Sequence, residues 1–138
     1  MTAGGKNVAP GPLEDRVRGH WLIAECVMIG DRRPDITALV TLDGDGFARW
    51  KRQTGRPPDV TVADLRDDPA LRAVVAEAIS RANTAVSAAE SIKRFGVLPG
   101  TFEVGAELTP AQKVRRQFVL DEFADDINAL YAPPARPQ

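Results

Sequence analysis

The stretch IAECVMIGDRRPDITALVTL, Ile23 to Leu42, decides the fold. Ile23 to Ile29 is a β-favouring run, and Ile36 to Leu42 is a second one. Between them Gly30-Asp31-Arg32-Arg33-Pro34 is turn chemistry, so the two runs form a hairpin with a five-residue connection. Cys26 alternates with its neighbours in the first run and reads as a small buried hydrophobe.

Helical sequence flanks this hairpin. Residues 1–12 are rich in glycine and proline and read as a loop. Pro12 at a first helical turn, with Leu13, Val17 and, as a candidate, Trp21 on one side, predicts a short helix ending near Gly19. Downstream, Asp43-Gly44-Asp45-Gly46 reads as a turn; it lacks the remaining ligands and closing Glu of a calcium loop. Phe47 to Arg52 is compatible with a short helix or a fringe strand, and Gln53 to Asp59 with a polar, proline-rich loop. Weakly helical sequence begins at Asp64-Leu65. The clear helix runs from Pro69 to Val86, with Leu71, Val74, Val75, Ala78, Ile79 and Ala82 at helical spacing. Ile92 to Leu98 is a third strand closed by Pro99-Gly100, and Phe102 to Leu108 a loop or short strand. A last helix, Pro110 to Tyr131, is expected to bury some of Val114, Phe118, Phe123, Ile127 and Leu130, leaving a frayed tail over 132–138. Helices mixed with antiparallel strands give an α+β two-layer sandwich: a hairpin plus a further strand, flanked by helices.

Composition narrows the class. A chain of 138 residues suits one domain that buries roughly two-thirds of its unfolded surface. Lysine and arginine, 18 together, nearly cancel 19 acidic residues, so no global field recruits nucleic acid or an anionic membrane. The lone Cys26 cannot form an internal disulfide, which fits a reducing, cytoplasmic compartment. No apolar run approaches the roughly 20 residues of a membrane span, although peripheral membrane contact stays open. Gly4, Gly5, Lys6 and Asn7 interrupt any signal-peptide core.

The stretch ELTPAQKVRR, Glu107 to Arg116, carries the chemistry. Thr109, Pro110 and Gln112 read as a helix start, with Thr as cap, Pro at the first position and Gln closing a capping box. Lys113, Arg115 and Arg116 then fall in the opening turns, where the macrodipole is positive and a cation is mildly unfavourable. By position alone Lys113 is a solvated surface residue. The same placement is expected of a lysine that must face a phosphate.

Four blocks resemble the long-chain fatty-acyl-CoA synthetases of the adenylate-forming, AMP-binding superfamily. They are TAGGKNVAP (Thr2 to Pro10, followed by Leu13-Glu14-Asp15), IGDRRPDITALVTLD (Ile29 to Asp43), AESIKRFGVLP (Ala89 to Pro99) and ELTPAQKVRR. They occur in the family's order over nearly the whole chain. The resemblance implies that residues 1–138 are a single C-terminal domain, a small sheet flanked by helices. It implies that Lys113 contacts the α-phosphate of ATP and the substrate carboxylate, where two anions meet and a preorganised cation lowers the barrier. Many relatives place Ser-Gly before this lysine, where this chain has Gln112. Arg116 matches a basic position of the motif and is either a helix-surface residue or a nucleotide or interdomain contact. Gly4, Gly5 and Lys6 belong to a post-hinge loop that would pack along the pantetheine tunnel. They fail as a Walker phosphate loop, because Asn7 stands where Ser or Thr is needed and the glycine spacing is short.

The whole enzyme so implied joins fatty acid and CoA at the expense of ATP, releasing AMP and pyrophosphate. A large N-terminal domain would hold ATP, Mg2+ and the fatty acid, leaving no metal site and no bound cofactor on this chain, which would be inert alone. Met1 then reads as a start added after the hinge. Two alternatives stay open: a fatty-acyl-AMP ligase that loads a carrier protein, and a non-catalytic interaction module of the same fold. Lys93, in SIKRF, is a strand-edge lysine or a CoA-phosphate contact. His20 has no partner spaced for metal or triad chemistry, and Trp50-Lys51-Arg52 is too brief for a nucleic-acid patch.

Overall fold

The computed structural model describes residues 10–30, 35–111 and 113–131. Along the chain these form α1 (Pro10–Arg18), β1 (Ile23–Ile29), β2 (Ile36–Leu42), α2 (Gly44–Thr54), α3 (Val62–Leu65), α4 (Pro69–Asn83), a 3-10 turn (Ala88–Glu90), β3 (Ile92–Val97), α5 (Arg116–Glu122) and α6 (Ala124–Tyr131). The α+β class with its central hairpin is as the sequence predicts. β1 and β2 pair antiparallel, Cys26 opposite Val40, with a register shift between Ile23 and Glu25 where the Glu25 N–H donates to Thr41 Oγ1 at 3.1 Å.

β3 departs from the all-antiparallel expectation. It lies on the far side of β2 and runs parallel to it, Phe95 opposite Ala38 and Val97 opposite Val40. A parallel neighbour needs a long crossover, and α2 to α4 supply it.

Local chemistry accounts for the helix ends. Asp43 caps α2 by accepting the Gly46 N–H at 2.8 Å, so the Asp43–Gly46 turn is the helix start and Phe47 to Arg52 is helical. Gly55 ends α2 at φ +73°, a left-handed conformation that glycine adopts without steric cost. Asp68 caps α4, with Pro69 at its first position. That helix stops at Asn83 rather than Val86, because the Asn83 side chain turns onto Ile92, donating to its carbonyl at 3.0 Å and accepting its N–H at 2.9 Å. Lys51 donates to the carbonyls of Pro58 and Val60, while Trp50 is buried, so this segment serves the core and the proline-rich loop.

All seven residues of β2 are buried, because helices cover both faces of the sheet. Leu13 and Val17 of α1, Phe47 and Trp50 of α2, and Leu71, Val75 and Ile79 of α4 pack with Cys26, Ala38 and Val40. A smaller second layer joins this sandwich from the opposite face, where Val119 of α5 and Ile127 of α6 meet Val27, Ile29 and Leu39. Trp21 falls outside α1 and is 38% exposed, Leu22 being buried in its place. Phe118 is 37% exposed and Val119 fully buried, while Val114, Phe123 and Leu130 are partly buried and Ile127 wholly so. No described helix is long and apolar enough to cross a membrane. The 132–138 tail lies outside the described residues.

Candidate functional site

Lys113 does not stand in a helix. α5 begins only at Arg116, and residues 103–111 and 113–115 lie in turns ahead of it. The Thr109 hydroxyl accepts the N–H of Lys113, at 3.1 Å. The Thr109 N–H in turn donates to the Lys113 carbonyl at 2.8 Å, and the Arg115 N–H to the Glu107 carbonyl at 2.7 Å. With Leu108 bridged antiparallel to Val114, residues 107–109 and 113–115 pair as a miniature β-hairpin. The Thr109 hydroxyl that suggested a helix cap therefore closes a hairpin, and partly buried Val114 holds this arrangement to the second apolar layer. Gln112 lies outside the described residues. Lys113 thus escapes the unfavourable end of a helix dipole. It is exposed beside the hairpin tip, and its ammonium has no partner among the described residues.

The base of the hairpin is tied down more firmly than its tip. Glu107 is buried, and its Oε1 accepts the Glu103 N–H at 2.9 Å. Burial alone would raise this carboxyl. The N–H groups of Glu103 and of Glu107 itself, with the Glu122 side chain, outweigh burial and hold it below the ordinary range. Glu122 is raised, first by that hydrogen bond with Glu107 and then by burial. Gly105, at φ +91°, makes the sharp turn between Val104 and Leu108. Arg115 donates to the Ala106 carbonyl at 2.9 Å, its guanidinium 4.7 Å from the centre of the Phe118 ring.

Arg116 is the first residue of α5, and its side chain is largely committed. It forks onto Glu14 of α1 at 3.0 and 2.9 Å and donates to the Met28 carbonyl at 3.1 Å. These contacts use three of the five guanidinium hydrogens, and the side chain keeps 40% of its surface exposed. The structure thus brings Lys113, Arg115 and Arg116 to one corner of the molecule. Gly4, Gly5 and Lys6 lie outside the described residues. Lys93 is exposed, and its ammonium donates to Ser91 Oγ at 2.6 Å and to the Ala88 carbonyl. His20 Nδ1 accepts the Leu22 N–H at 3.1 Å, and burial holds the imidazole below its usual range. Glu107 and Glu14, which organise this corner, carried no assigned role in the sequence; nothing local marks either as buried.

This corner fits an anion, since it offers two arginines and an ammonium with no partner among the described residues. A cleft of about 240 Å3 lies elsewhere, between β3, α4 and α6, lined by Arg66, Arg72, Phe95, Gly96, Asp126 and Leu130 among others. Among the described residues no three His, Cys, Asp or Glu side chains gather as metal ligands.

A family model described as the AMP-binding enzyme C-terminal domain matches residues 1–134. Over 132 residues, 95% of this chain and 22% of the relative, the sequence is 48% identical to the long-chain-fatty-acid–CoA ligase FadD15 of Mycobacterium tuberculosis. It is 30% identical over 149 residues to the long-chain-fatty-acid–CoA ligase ACSBG1 of Bos taurus, covering 95% of this chain and 20% of that protein. Among solved structures, the adenylation domain of a carboxylate reductase from Mycobacterium chelonae superposes with a TM-score of 0.73 at 21% identity, over 96% of this chain and 19% of that one. A fatty acyl CoA synthetase of Mycobacterium tuberculosis gives 0.53 at 13%, over 91% of this chain and 20% of that one. These structural likenesses speak for the fold. The chain spans about a fifth of the length of the curated relatives it matches.

Proposed function

Because this chain belongs to the family of AMP-binding enzyme C-terminal domains, we propose that residues 1–138 are the C-terminal lid of an AMP-forming long-chain fatty-acid–CoA ligase. In this reading a larger N-terminal domain holds ATP, Mg2+ and the fatty acid, and the enzyme works in the cytoplasm. The observation that carries it is Lys113: an exposed ammonium, without a partner among the described residues, on a hairpin whose base is fixed to the fold.

The chemistry needs such a group. A fatty-acid carboxylate oxygen attacks the α-phosphorus of ATP, a new P–O bond forms, and pyrophosphate leaves with the old one. Negative charge gathers as two anions meet, and the long lysine stem brings a point charge to it from outside the nucleotide-binding domain. In the second half-reaction the CoA sulfur attacks the acyl carbonyl and AMP departs. Lys113 has no part there, so the lid must turn away and present another surface, to which we assign the loop of Gly4, Gly5 and Lys6. Small residues there permit close approach of the pantetheine arm. Arg116 keeps two guanidinium hydrogens for a nucleotide or CoA phosphate while Glu14 holds it in place.

The test is palmitate-driven ATP–pyrophosphate exchange by the intact enzyme, its Lys113→Ala variant and this chain alone. Exchange is expected only in the intact wild type, with a loss on the order of a hundred- to a thousandfold in Lys113→Ala. Thioester formation from supplied palmitoyl-adenylate should survive the substitution. Loss of both half-reactions together would replace the catalytic role with a general docking one, and full exchange in Lys113→Ala would remove the lysine from the chemistry.

A further inference from the structure

The Lys113 hairpin is set by a side chain to which the lysine chemistry gives no part. We propose that Glu107 is the positioning residue for Lys113, holding the hairpin register so that the ammonium is presented in one direction. This rests on the reading of Lys113 given above.

Glutamate is rarely buried unless it is bonded, and Glu107 is 8% exposed. Its bonds reach back to Glu103 and forward to Arg115. The carboxylate takes the Glu103 N–H at 2.9 Å, and the main-chain carbonyl takes the Arg115 N–H at 2.7 Å. The Glu103 carbonyl accepts from Ala106 at 3.1 Å and from Leu108 at 3.0 Å, so the first turn closes around the Glu107 carboxylate. From that point the register is forced: Glu107 with Arg115, Leu108 with Val114, Thr109 with Lys113. A slip of one residue would carry the Lys113 side chain to the other face of the hairpin.

A second tie runs to the body of the fold. The Arg115 N–H on the Glu107 carbonyl ties the hairpin base to the residue that precedes α5, and α5 is anchored through Arg116 to Glu14. The hairpin therefore stands on a helix that the domain holds fixed. Charged groups around Glu107 are Glu103 on its own turn, Arg115 through the Ala106 carbonyl, and Glu122 on α5. Without the Glu107 carboxylate the Glu103 N–H loses its acceptor, and the tip can swing. A misplacement of about 1 Å at a charge-stabilising group costs on the order of a hundredfold in rate.

Two measurements test this. In this 138-residue chain, Glu107→Ala should speed amide exchange at Leu108, Thr109 and Arg115 by about tenfold or more, with β2 amides still protected. In the intact enzyme the same substitution should lower palmitate-driven ATP–pyrophosphate exchange by roughly ten- to a hundredfold, yet spare thioester formation from supplied palmitoyl-adenylate. Glu107→Gln should restore both, since its amide oxygen can take the Glu103 N–H. Should Glu107→Ala unfold the chain, Glu107→Asp, one methylene too short for the Glu103 N–H, should give the same split at smaller size. Unchanged hairpin exchange, an equal fall in both half-reactions, or full adenylation despite a loosened hairpin would each overturn the proposal. Lys113→Ala run alongside separates the two ideas. If it keeps full adenylation, the lysine reading fails and the positioning role with it, whereas a normal Lys113→Ala defect beside an inert Glu107→Ala sinks the Glu107 proposal alone.

Discussion

Arg116 closes a two-pronged ion pair on Glu14, Nη1 to Oε2 at 3.0 Å and Nη2 to Oε1 at 2.9 Å, across 102 residues of chain. The pair joins α5 to α1, and Glu14 Oε2 also accepts the Met28 N–H at 2.7 Å. One carboxylate thus holds a helix, a strand and the platform of the Lys113 hairpin. Glu14→Ala would leave a guanidinium and a strand N–H without their acceptor. Arg116 is 40% exposed, which discounts the cost towards that of a single charged hydrogen bond, about 2 kcal/mol. Glu14→Gln, which can still accept from Met28, should lose about half as much. Urea denaturation curves with unchanged slopes would measure both, and an unshifted midpoint in Glu14→Ala would mean the pair is only decorative.

Gly46 is required by close approach. A Cβ there would lie 2.4 Å from the Trp21 carbonyl oxygen and 3.1 Å from the Leu22 Cα, both backbone atoms that cannot swing aside. Gly46→Ala should therefore destabilise the domain by about 1–3 kcal/mol, the usual cost of overpacking. Gly44→Ala, two residues earlier in α2, meets nothing within 4 Å and should stay within about 0.5 kcal/mol of wild type. Equal denaturation midpoints for the two variants would contradict the contact.

Tyr131 fastens the end of α6 to the hairpin. Its hydroxyl lies 2.7 Å from the Asp35 carbonyl and 2.9 Å from that of Ile29, and it accepts from Thr37 Oγ1 at 3.1 Å. A phenol has one proton, so it serves one carbonyl at a time while the other stays in close contact. Tyr131→Phe keeps the ring and removes the bonds, with an expected loss of about 1–2 kcal/mol. Thermal unfolding should read it as a lower midpoint, and a midpoint equal to wild type would show that solvent replaces the hydroxyl without cost.

His20 sets a pH dependence. Burial lowers its affinity for a proton, Glu77 opposes that and Arg81 adds to it; the net direction is below the ordinary value of 6.5. As pH falls through 6.5 the unfolded chain takes up the proton before the folded one, so the native state loses stability. The loss levels off once pH passes below the folded value. It is absent above neutrality. The chain has a single histidine, so one imidazole resonance reports the titration directly. A midpoint at or above 6.5 in the folded chain would refute the direction, and His20→Gln should flatten the stability profile between about pH 5 and 7.

Much of this was legible because it is local. The bounds of β1 and β2 follow from two β-favouring runs around turn residues, and α4 from apolar spacing behind an Asp-Pro start. Capping chemistry misled at Thr109, since a threonine hydroxyl can close a helix or a hairpin with equal ease. Val114, packed on the second apolar layer, and the Glu107 to Arg115 bond chose the hairpin. The late start of α5 also turned the helix, so that Val119 rather than Phe118 is buried. The direction of β3 left no mark in its own residues, because a short apolar strand reads the same in either sense.

The family, the hairpin, the long helix and the position of the lysine could all be read from neighbours along the chain and from motif order. How that lysine is carried emerges only when distant segments pack together. The Glu14–Arg116 pair, the burial of Glu107 and the parallel docking of β3 join residues far apart in sequence, and the free energy of such contacts exists only once both partners have been brought together.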